Sequence, residues 1–230
     1  MNIIISGIES QIDFNNQFVN VLEIENKKFF KTLVSEMYNI VELNYESNKI
    51  LLTEEDNILS LSKNVMLLFD IFNIDFNNKK ILNKVFSKIV NDIKLEESID
   101  NKYDEITLEL LNYMRDKLDE LPFEYVIKEN IEIEDVLKII NFKIDIEYYN
   151  NITEKIMFLI DLISEFNLVK ILILVNVKTY FTNDELVEIY KYCNYKEVSL
   201  LLVENTISEN LLKYEKKIYI DNDFDDFLIN

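Results

Sequence analysis

The sequence predicts an α/β fold in which a parallel-sheet head domain carries an inserted α-helical leg domain. Two near-continuous Ile/Leu/Val runs, residues 169–175 and 198–203, have the composition of strands buried on both faces of a sheet. Thr182, Asn183 and Asp184 lie between them and are helix-capping residues, followed by apolar residues at helical spacing. We therefore expect a strand–helix–strand unit, which needs further strands and helices to cover its faces.

Three elements near the start of the chain extend the head domain. Residues 19–25 alternate in the manner of a strand, and the apolar spacing predicts a helix from Lys27 to about Asn39. A further short strand is predicted over residues 48–53. Residues 1–56 are accordingly assigned to the first part of the head domain.

An almost wholly helical pattern follows from residue 57 to residue 167, with Pro122 as its internal breaker. Helices are predicted around residues 81–93, 104–120, 123–130, 136–140 and 152–167, and a last strand at residues 217–220. The leg domain is assigned to residues 57–150, and the second part of the head domain to residues 151–230.

The composition excludes several kinds of chemistry. Cys193 is the single cysteine and histidine is absent, which excludes disulfide frameworks, thiolate or imidazole metal sites and histidine-activated nucleophiles. Gly7 is the single glycine, so neither a GxxxxGK[ST] nor a GxGxxG loop exists and no nucleotide cofactor is expected. No apolar run reaches the roughly 20 residues of a membrane span, and no secretory signal is visible at residues 1–10. We expect a soluble, cytoplasmic protein.

The net charge of −19 argues against nucleic acid as a partner, but one segment of the chain is positively charged. Residues 77–94 hold five lysines and one aspartate, a net charge of +4. Lys80, Lys84 and Lys88 follow at four-residue steps and therefore share one helix face. Such a face suits the backbone of duplex DNA, and the alternative is an ordinary solvated face.

Two groups of carboxylates are candidate metal ligands. Glu132, Glu134 and Asp135 stand together before an apolar run, where they either coordinate calcium or serve as acids at a helix N-terminus. Glu23, Glu25 and Lys27 have the carboxylate-x-lysine pattern of metal-dependent nucleases, although such short strings are common by chance.

Three segments give the chain a resemblance to a known family. They are VLEIENKKFF at 21–30, VMLLFDIFNIDFNN at 65–78, and KILILVNVKTYFTNDEL through VSLLLVEN at 170–205. In order and spacing they resemble the type II-A CRISPR-associated spacer-acquisition ring proteins, the Csn2 family, in its short form. The resemblance implies a degenerate P-loop ATPase-like parallel-sheet head domain with an inserted α-helical leg domain.

The resemblance also implies a function. Family members are similar in forming homotetrameric rings that thread double-stranded DNA ends through a lysine-lined hole, with calcium ordering the legs and without catalytic activity. They act in antiviral defence beside the CRISPR integrase pair and the effector nuclease. Lys128, Lys138 and Lys143 fall in the leg, and Glu132, Glu134 and Asp135 fall at a shortened version of the calcium segment. A metal-dependent nuclease and a structural adaptor that recruits partners through its acidic tail stay open as alternatives.

Overall fold

A computed structural model describes residues 1–14, 19–55, 57–208 and 210–229, without the side chains of residues 96–100. The chain forms two compact units. The first comprises Met1–Asp75 and Ile146–Asn230, and the second comprises Phe76–Asp145. We call them the head unit and the helical unit. In the part of the chain that is described, no helix is long and apolar enough to cross a membrane.

The head unit contains two sheets. Its strands are β1 (Asn2–Ile5), β2 (Ile12–Asp13), β3 (Val19–Ile24), β4 (Ile50–Glu54), β5 (Asn57–Leu59), β6 (Val65–Leu68), β7 (Ile171–Val175), β8 (Ser199–Glu204), β9 (Glu215–Ile220) and β10 (Asp226–Ile229). The six-stranded sheet has the order β10-β9-β3-β8-β7-β6. It is parallel from β9 to β6, with β10 antiparallel at one end. The strands β2-β1-β4-β5 form an antiparallel sheet.

Four α-helices lie in the described part of the head unit. They are α1 (Lys27–Leu43), α2 (Leu61–Asn64), α6 (Ile152–Phe166) and α7 (Asn183–Tyr195). The side chain of Asn26 caps α1 by accepting the amides of Lys28 and Phe29. One hydrophobic core joins α1 to both sheets, with Leu33 of α1, Leu52 of β4 and Ile173 of β7 among its members. Burial of this shared face holds the small antiparallel sheet on the large one.

The predicted strand–helix–strand unit is confirmed as β7, α7 and β8. The two strands pair in parallel, from Ile171 with Ser199 to Val175 with Val203. Thr182 and Glu185 form a reciprocal capping box at the start of α7, which satisfies two amides that a helix terminus leaves open. The periodicity and the capping residues are local signals, and both were correct here.

The helical unit is built from α3 (Lys79–Asp100), α4 (Lys102–Leu118) and α5 (Ile133–Ile139). Val90 of α3 packs with Ile133 and Leu137 of α5 in a small core. The core also receives half-buried side chains from α3 and α4, namely Phe86, Ile89, Ile93 and Tyr103. Asn77 ties the two ends of the unit together, because its side chain donates to the carbonyl of Ile144 at 3.1 Å and accepts its amide at 2.8 Å.

Two expectations about residues 57–150 were wrong. Residues 57–68, expected to be helical, form β5, the short α2 and β6, because a brief apolar run such as VMLL does not separate a buried strand from a buried helix. The helix expected at residues 123–130 does not form. Phe123 and Val126 are exposed there, so an amphipathic helix has no apolar face to bury.

Candidate functional site

The carboxyl ends of β3 and β8 hold a pair of buried carboxylates. Glu23 and Glu204 are register partners on these neighbouring parallel strands, and both are 0 % exposed. The connection from β3 leads towards β6 and the one from β8 leads to β9, on opposite sides of this point. Open α/β sheets bind their ligands at such a switch point. The carboxyl ends of β3 and β8 are therefore where a ligand site of the head unit is expected.

Two lysines form ion pairs with Glu23, one of the two carboxylates. Lys178, which follows β7, contacts Glu23 at 3.3 Å and Glu215 at 2.7 Å. Lys217 of β9 contacts Glu23 at 3.2 Å and donates to the main-chain oxygen of Ser208 at 2.8 Å. Two buried or nearly buried ammonium groups thus occupy the space beside Glu23. We call Glu23, Glu204, Glu215, Lys178, Lys217 and Tyr190 the buried ionic network.

Glu204 has the least compensation in this network. One of its carboxyl oxygens accepts the amides of Val177 and Lys178 at 2.9 and 3.2 Å, while the other has no hydrogen-bond partner among the described residues. Burial raises the pKa of Glu204 to about 7, with the nearby Glu23 adding to the effect. Burial likewise raises the pKa of Tyr190, whose hydroxyl donates to Glu215 at 2.8 Å.

A cavity of about 230 Å³ lies beside Lys178 and Ser208. Hydroxyl and amide side chains line it, but the charged groups next to it already bind one another. The loop between β3 and α1 offers no phosphate cradle either, because Asn26 uses its side chain to cap α1. The crevice is thus filled from inside by the ionic network.

The geometry does not bring Glu23, Glu25 and Lys27 together as a metal site. Glu23 is enclosed by lysines and Ser208, whereas Glu25 is exposed and accepts a hydrogen bond from Tyr219. Lys27 is exposed on the first turn of α1. A metal in solvent has no access to Glu23, so the residue types of a nuclease are present without their arrangement.

The lysines expected to bind DNA lie on one face of α3. Lys84 and Lys88 are exposed and Lys80 is half-buried. Four-residue steps place the three on one side of the helix, opposite the side that Phe86 and Val90 bury in the small core. We call the side with the lysines the cationic face of α3.

The other lysines expected to bind DNA have different surroundings. Lys128 contacts Asp135 at 2.5 Å and Lys138 contacts the same carboxylate at 3.7 Å. These lysines hold the pKa of Asp135 below its usual range, mainly through the hydrogen bond from Lys128. Lys143 is exposed. Lys128 and Lys138 thus share one neutralising partner.

The acidic residues expected to bind calcium lie at the start of α5. Glu132 occupies the N-cap position, and Glu134 and Asp135 lie in the first turn. Glu132 also lines a cavity of about 520 Å³ with Asp104 and Glu129, two carboxylates that the sequence pattern missed. Burial and then the charge of Glu132 raise the pKa of Tyr103 in the same cavity. No three carboxylates in the described part converge closely enough to form a metal cluster.

These features define an α/β protein with a helical unit and with side-chain ion pairs at the switch point of its sheet. The family model described as CRISPR-associated protein (Cas_Csn2) matches residues 42–224, and the chain belongs to this family. The CRISPR-associated protein Csn2 of Streptococcus agalactiae is 25 % identical over 212 residues, which cover 91 % of this chain and 89 % of that protein. The resemblance noted from the sequence is confirmed, and family membership supports a role in CRISPR adaptation.

A solved structure supports the fold. The crystal structure of Stu0660 of Streptococcus thermophilus matches with a TM-score of 0.56 and 12 % identity, over 95 % of this chain and 74 % of that chain. At this identity the likeness shows the fold alone. It confirms the mixed α/β architecture.

The first prediction concerns Lys178. Lys178→Met should lower the free energy of unfolding by about 3 to 5 kcal/mol, because it leaves Glu215 and part of Glu23 buried without a counter-charge. Denaturant unfolding measures the change. Lys170→Met is the matched control, since its partner Glu54 is exposed and such pairs contribute little. Equal losses in the two variants would contradict a buried network.

The second prediction concerns the proton on Glu204. Its pKa is raised by folding, from near 4.5 to about 7, so the folded state retains a proton that the unfolded state releases. The stability from this group is complete below pH 4.5 and declines by about 3 kcal/mol as the pH rises to 7. Glu204→Gln should remove this decline relative to wild type. Glu188 is exposed, so Glu188→Gln should keep the decline in stability with pH. If wild type and Glu204→Gln lose stability in parallel as the pH rises, Glu204 is not the group that binds the proton.

Proposed function

We propose that this protein is a homotetrameric ring that binds double-stranded DNA and threads its ends during spacer acquisition, without an enzymatic activity of its own. The carrying observation is the cationic face of α3, formed by Lys80, Lys84 and Lys88 in a chain of net charge −19. Family membership supports the CRISPR context. The partners in this role are DNA ends, the CRISPR integrase pair and the effector nuclease, in the cytoplasm.

Electrostatics supports a lumen rather than an open DNA-binding surface. Most of the chain repels phosphate, so a duplex is held only where lysines cluster without carboxylates. A ring repeats the cationic face of α3 once per subunit around one axis, and four weak faces then act together. The contacts are with phosphates, so binding follows duplex shape and not base sequence.

An apolar stripe on α4 supports association between copies. Ile106, Leu110, Tyr113 and Met114 recur at helical spacing and are 44–60 % exposed. A contiguous exposed apolar face of this kind marks an interaction surface. We propose that a second copy of the helical unit covers it, which buries the stripe in the assembled ring.

The head unit supports a degenerate P-loop ATPase-like origin. In the parallel part of its sheet, β3 lies inside, between β8 and β9, and the β3–α1 loop occupies the position where a P-loop would hold phosphate. Here that loop is Glu25-Asn26, and Lys27 is the first residue of α1. The buried ionic network fills the adjoining crevice, which supports a scaffold role for the head unit.

The same network supports a non-enzymatic function. Glu23 is the one carboxylate of the nuclease pattern on a buried strand, and lysines and Ser208 occupy both of its oxygens. Freeing Glu23 for a metal requires two ion pairs to break inside the core. We therefore prefer a DNA-binding function to a nuclease.

We propose that calcium binds in the helical unit near Glu132, Glu134 and Asp135. The cavity beside Glu132 is also lined by Asp104 and Glu129, whose carboxylate oxygens are the ligand type that this hard cation prefers, and by Lys94, whose charge opposes it. The ion pairs of Asp135 with Lys128 and Lys138 compete for that carboxylate, so its share in the ligand set depends on their release. Calcium bound here would neutralise acids at the start of α5.

The third prediction tests DNA threading. The purified protein should retain linear duplex DNA but not covalently closed circular duplex of equal length, leave the DNA intact, and bind more weakly with chelator than with calcium. If the ring makes about 6 to 10 phosphate contacts, affinity should fall by roughly 10³ to 10⁵ between 50 and 200 mM salt. Gel shift measures both binding and DNA length.

Charge reversal on α3 supplies the matched comparison. Lys84→Glu with Lys88→Glu should weaken duplex binding at least about tenfold, because two attractive phosphate contacts per subunit become repulsive. Lys28→Glu with Lys31→Glu makes the same charge change on exposed positions of α1 and should have a much smaller effect. If the two double variants weaken binding equally, the overall charge of the protein and not the face of α3 controls binding. Cleavage of the DNA would favour the nuclease.

The fourth prediction tests the apolar stripe. Ile106→Lys with Tyr113→Lys should convert the tetramer to smaller species, because lysine at these positions opposes burial against a second copy. Sedimentation velocity measures the change. Leu108→Lys is the control, since Leu108 is exposed but lies about 200° around α4 from Ile106. An unchanged tetramer in the double variant would exclude the stripe as the interface.

A further inference from the structure

The last strand of the chain forms an exposed edge of the six-stranded sheet. β10 pairs with β9 and is the final strand in the sheet order. Phe227, Leu228 and Ile229 are 42–49 % exposed, whereas β6 at the opposite end alternates buried and half-buried residues. Proteins usually protect such an edge with lysine, proline or a bulge. β10 contains neither lysine nor proline, and its register with β9 is continuous.

The register shows which main-chain groups face away from β9. The amide of Asp221 donates to the carbonyl of Asp225 at 3.1 Å, so these two residues form a hydrogen-bonded pair. Hydrogen-bonded and non-hydrogen-bonded pairs alternate along an antiparallel ladder. Leu228, three residues after Asp225, is therefore at a non-hydrogen-bonded position, and its N–H and C=O point outward from the sheet.

The edge is ordered by its own contacts. Phe227 stacks on Tyr219 with ring centroids 6.0 Å apart, and Phe224 packs edge-on against Phe29 at 5.5 Å. The Asp221 carboxylate accepts the amides of two residues of the turn, at 2.9 and 3.0 Å. A strand held in this way needs little further ordering when another strand pairs with it.

The charge beside the edge has one sign. Residues 218–230 contain four aspartates and no lysine or arginine. Asp223 and Asp225 are exposed, while Asp226 is half-buried and accepts the amides of Glu9 and Ser10. The edge thus combines outward main-chain groups, apolar side chains and negative charge. Such a surface attracts a basic extended segment, and it repels an acidic one, including a second copy of a chain with net charge −19.

We propose that β10 is a docking edge at which an extended, lysine- or arginine-rich segment of a partner protein adds a further strand to the sheet. Main-chain hydrogen bonds to Leu228 supply the pairing, and the aspartates of the preceding turn select the charge of the partner. This surface lies in the head unit and contains none of the residues assigned to DNA binding.

The test uses the full chain and a fluorescein-labelled synthetic peptide of alternating lysine and valine, followed by fluorescence anisotropy. Wild type should bind it, and Leu228→Pro should bind about tenfold or more weakly, because proline removes the outward N–H and blocks the approach of a strand. Leu228→Val keeps the N–H and should bind within about twofold of wild type. Edge strands tolerate proline at solvent-facing N–H positions.

Charge variants test the proposal without touching the ladder. Asp223→Asn with Asp225→Asn should weaken binding several-fold at low salt and reduce its salt dependence. These variants also decide the question if Leu228→Pro proves to be unfolded by circular dichroism. Three results would overturn the proposal: equal binding of a glutamate–valine peptide, unchanged binding by the charge variants, or loss of self-association in Leu228→Pro, which would make the edge a contact between copies.

Discussion

Compensation of Glu23 is the constraint on which the head unit depends. A carboxylate that is 0 % exposed is tolerated only when counter-charges and hydrogen bonds surround it. Lys178 arrives from the end of β7 and Lys217 from β9, so one buried charge on β3 fixes the neighbouring strands of the parallel sheet against each other. The network has three carboxylates and two lysines, and Glu204 is the carboxylate that forms an ion pair with neither lysine. Its pKa is raised to about 7, so it binds a proton more readily than an ordinary glutamate does.

The ion pairs around Glu23 also bear on function. The network occupies the switch point of the sheet, the place where an open α/β fold normally admits a ligand. The side chains of the network are paired with one another in the core, so the surfaces that we propose to be functional are external ones. Among the described residues they are the cationic face of α3, the apolar stripe of α4 and the edge of β10, which are extended surfaces of the kind that contact macromolecules.

Local signals in the sequence predicted local structure, but they did not predict contacts between residues that are far apart in the chain. The β7–α7–β8 unit followed from two apolar runs and a capping residue, and α3 from its periodicity. Nothing near Glu23 indicates that its partner is Lys178, 155 residues later. Glu23, Glu25 and Lys27 resemble a nuclease motif for the same reason. Their spacing shows the residue types but not that Glu23 is buried. Asp104 was missed because it reaches the Glu132 cavity from another helix, α4, and Glu129 because it precedes the acidic run at residues 131–135.

Local net charge separates the candidates for DNA contact. Lys128 and Lys138 both contact Asp135, so their joint positive charge is partly cancelled before any phosphate approaches. In contrast, the segment from residue 77 to residue 94 carries five lysines against one aspartate. Attraction to phosphate depends on local net charge rather than on the number of lysines. We therefore prefer the face of α3 to Lys128 and Lys138 as the proposed duplex-binding surface, with the proposed calcium ion at Asp135 as the condition that would release those two lysines.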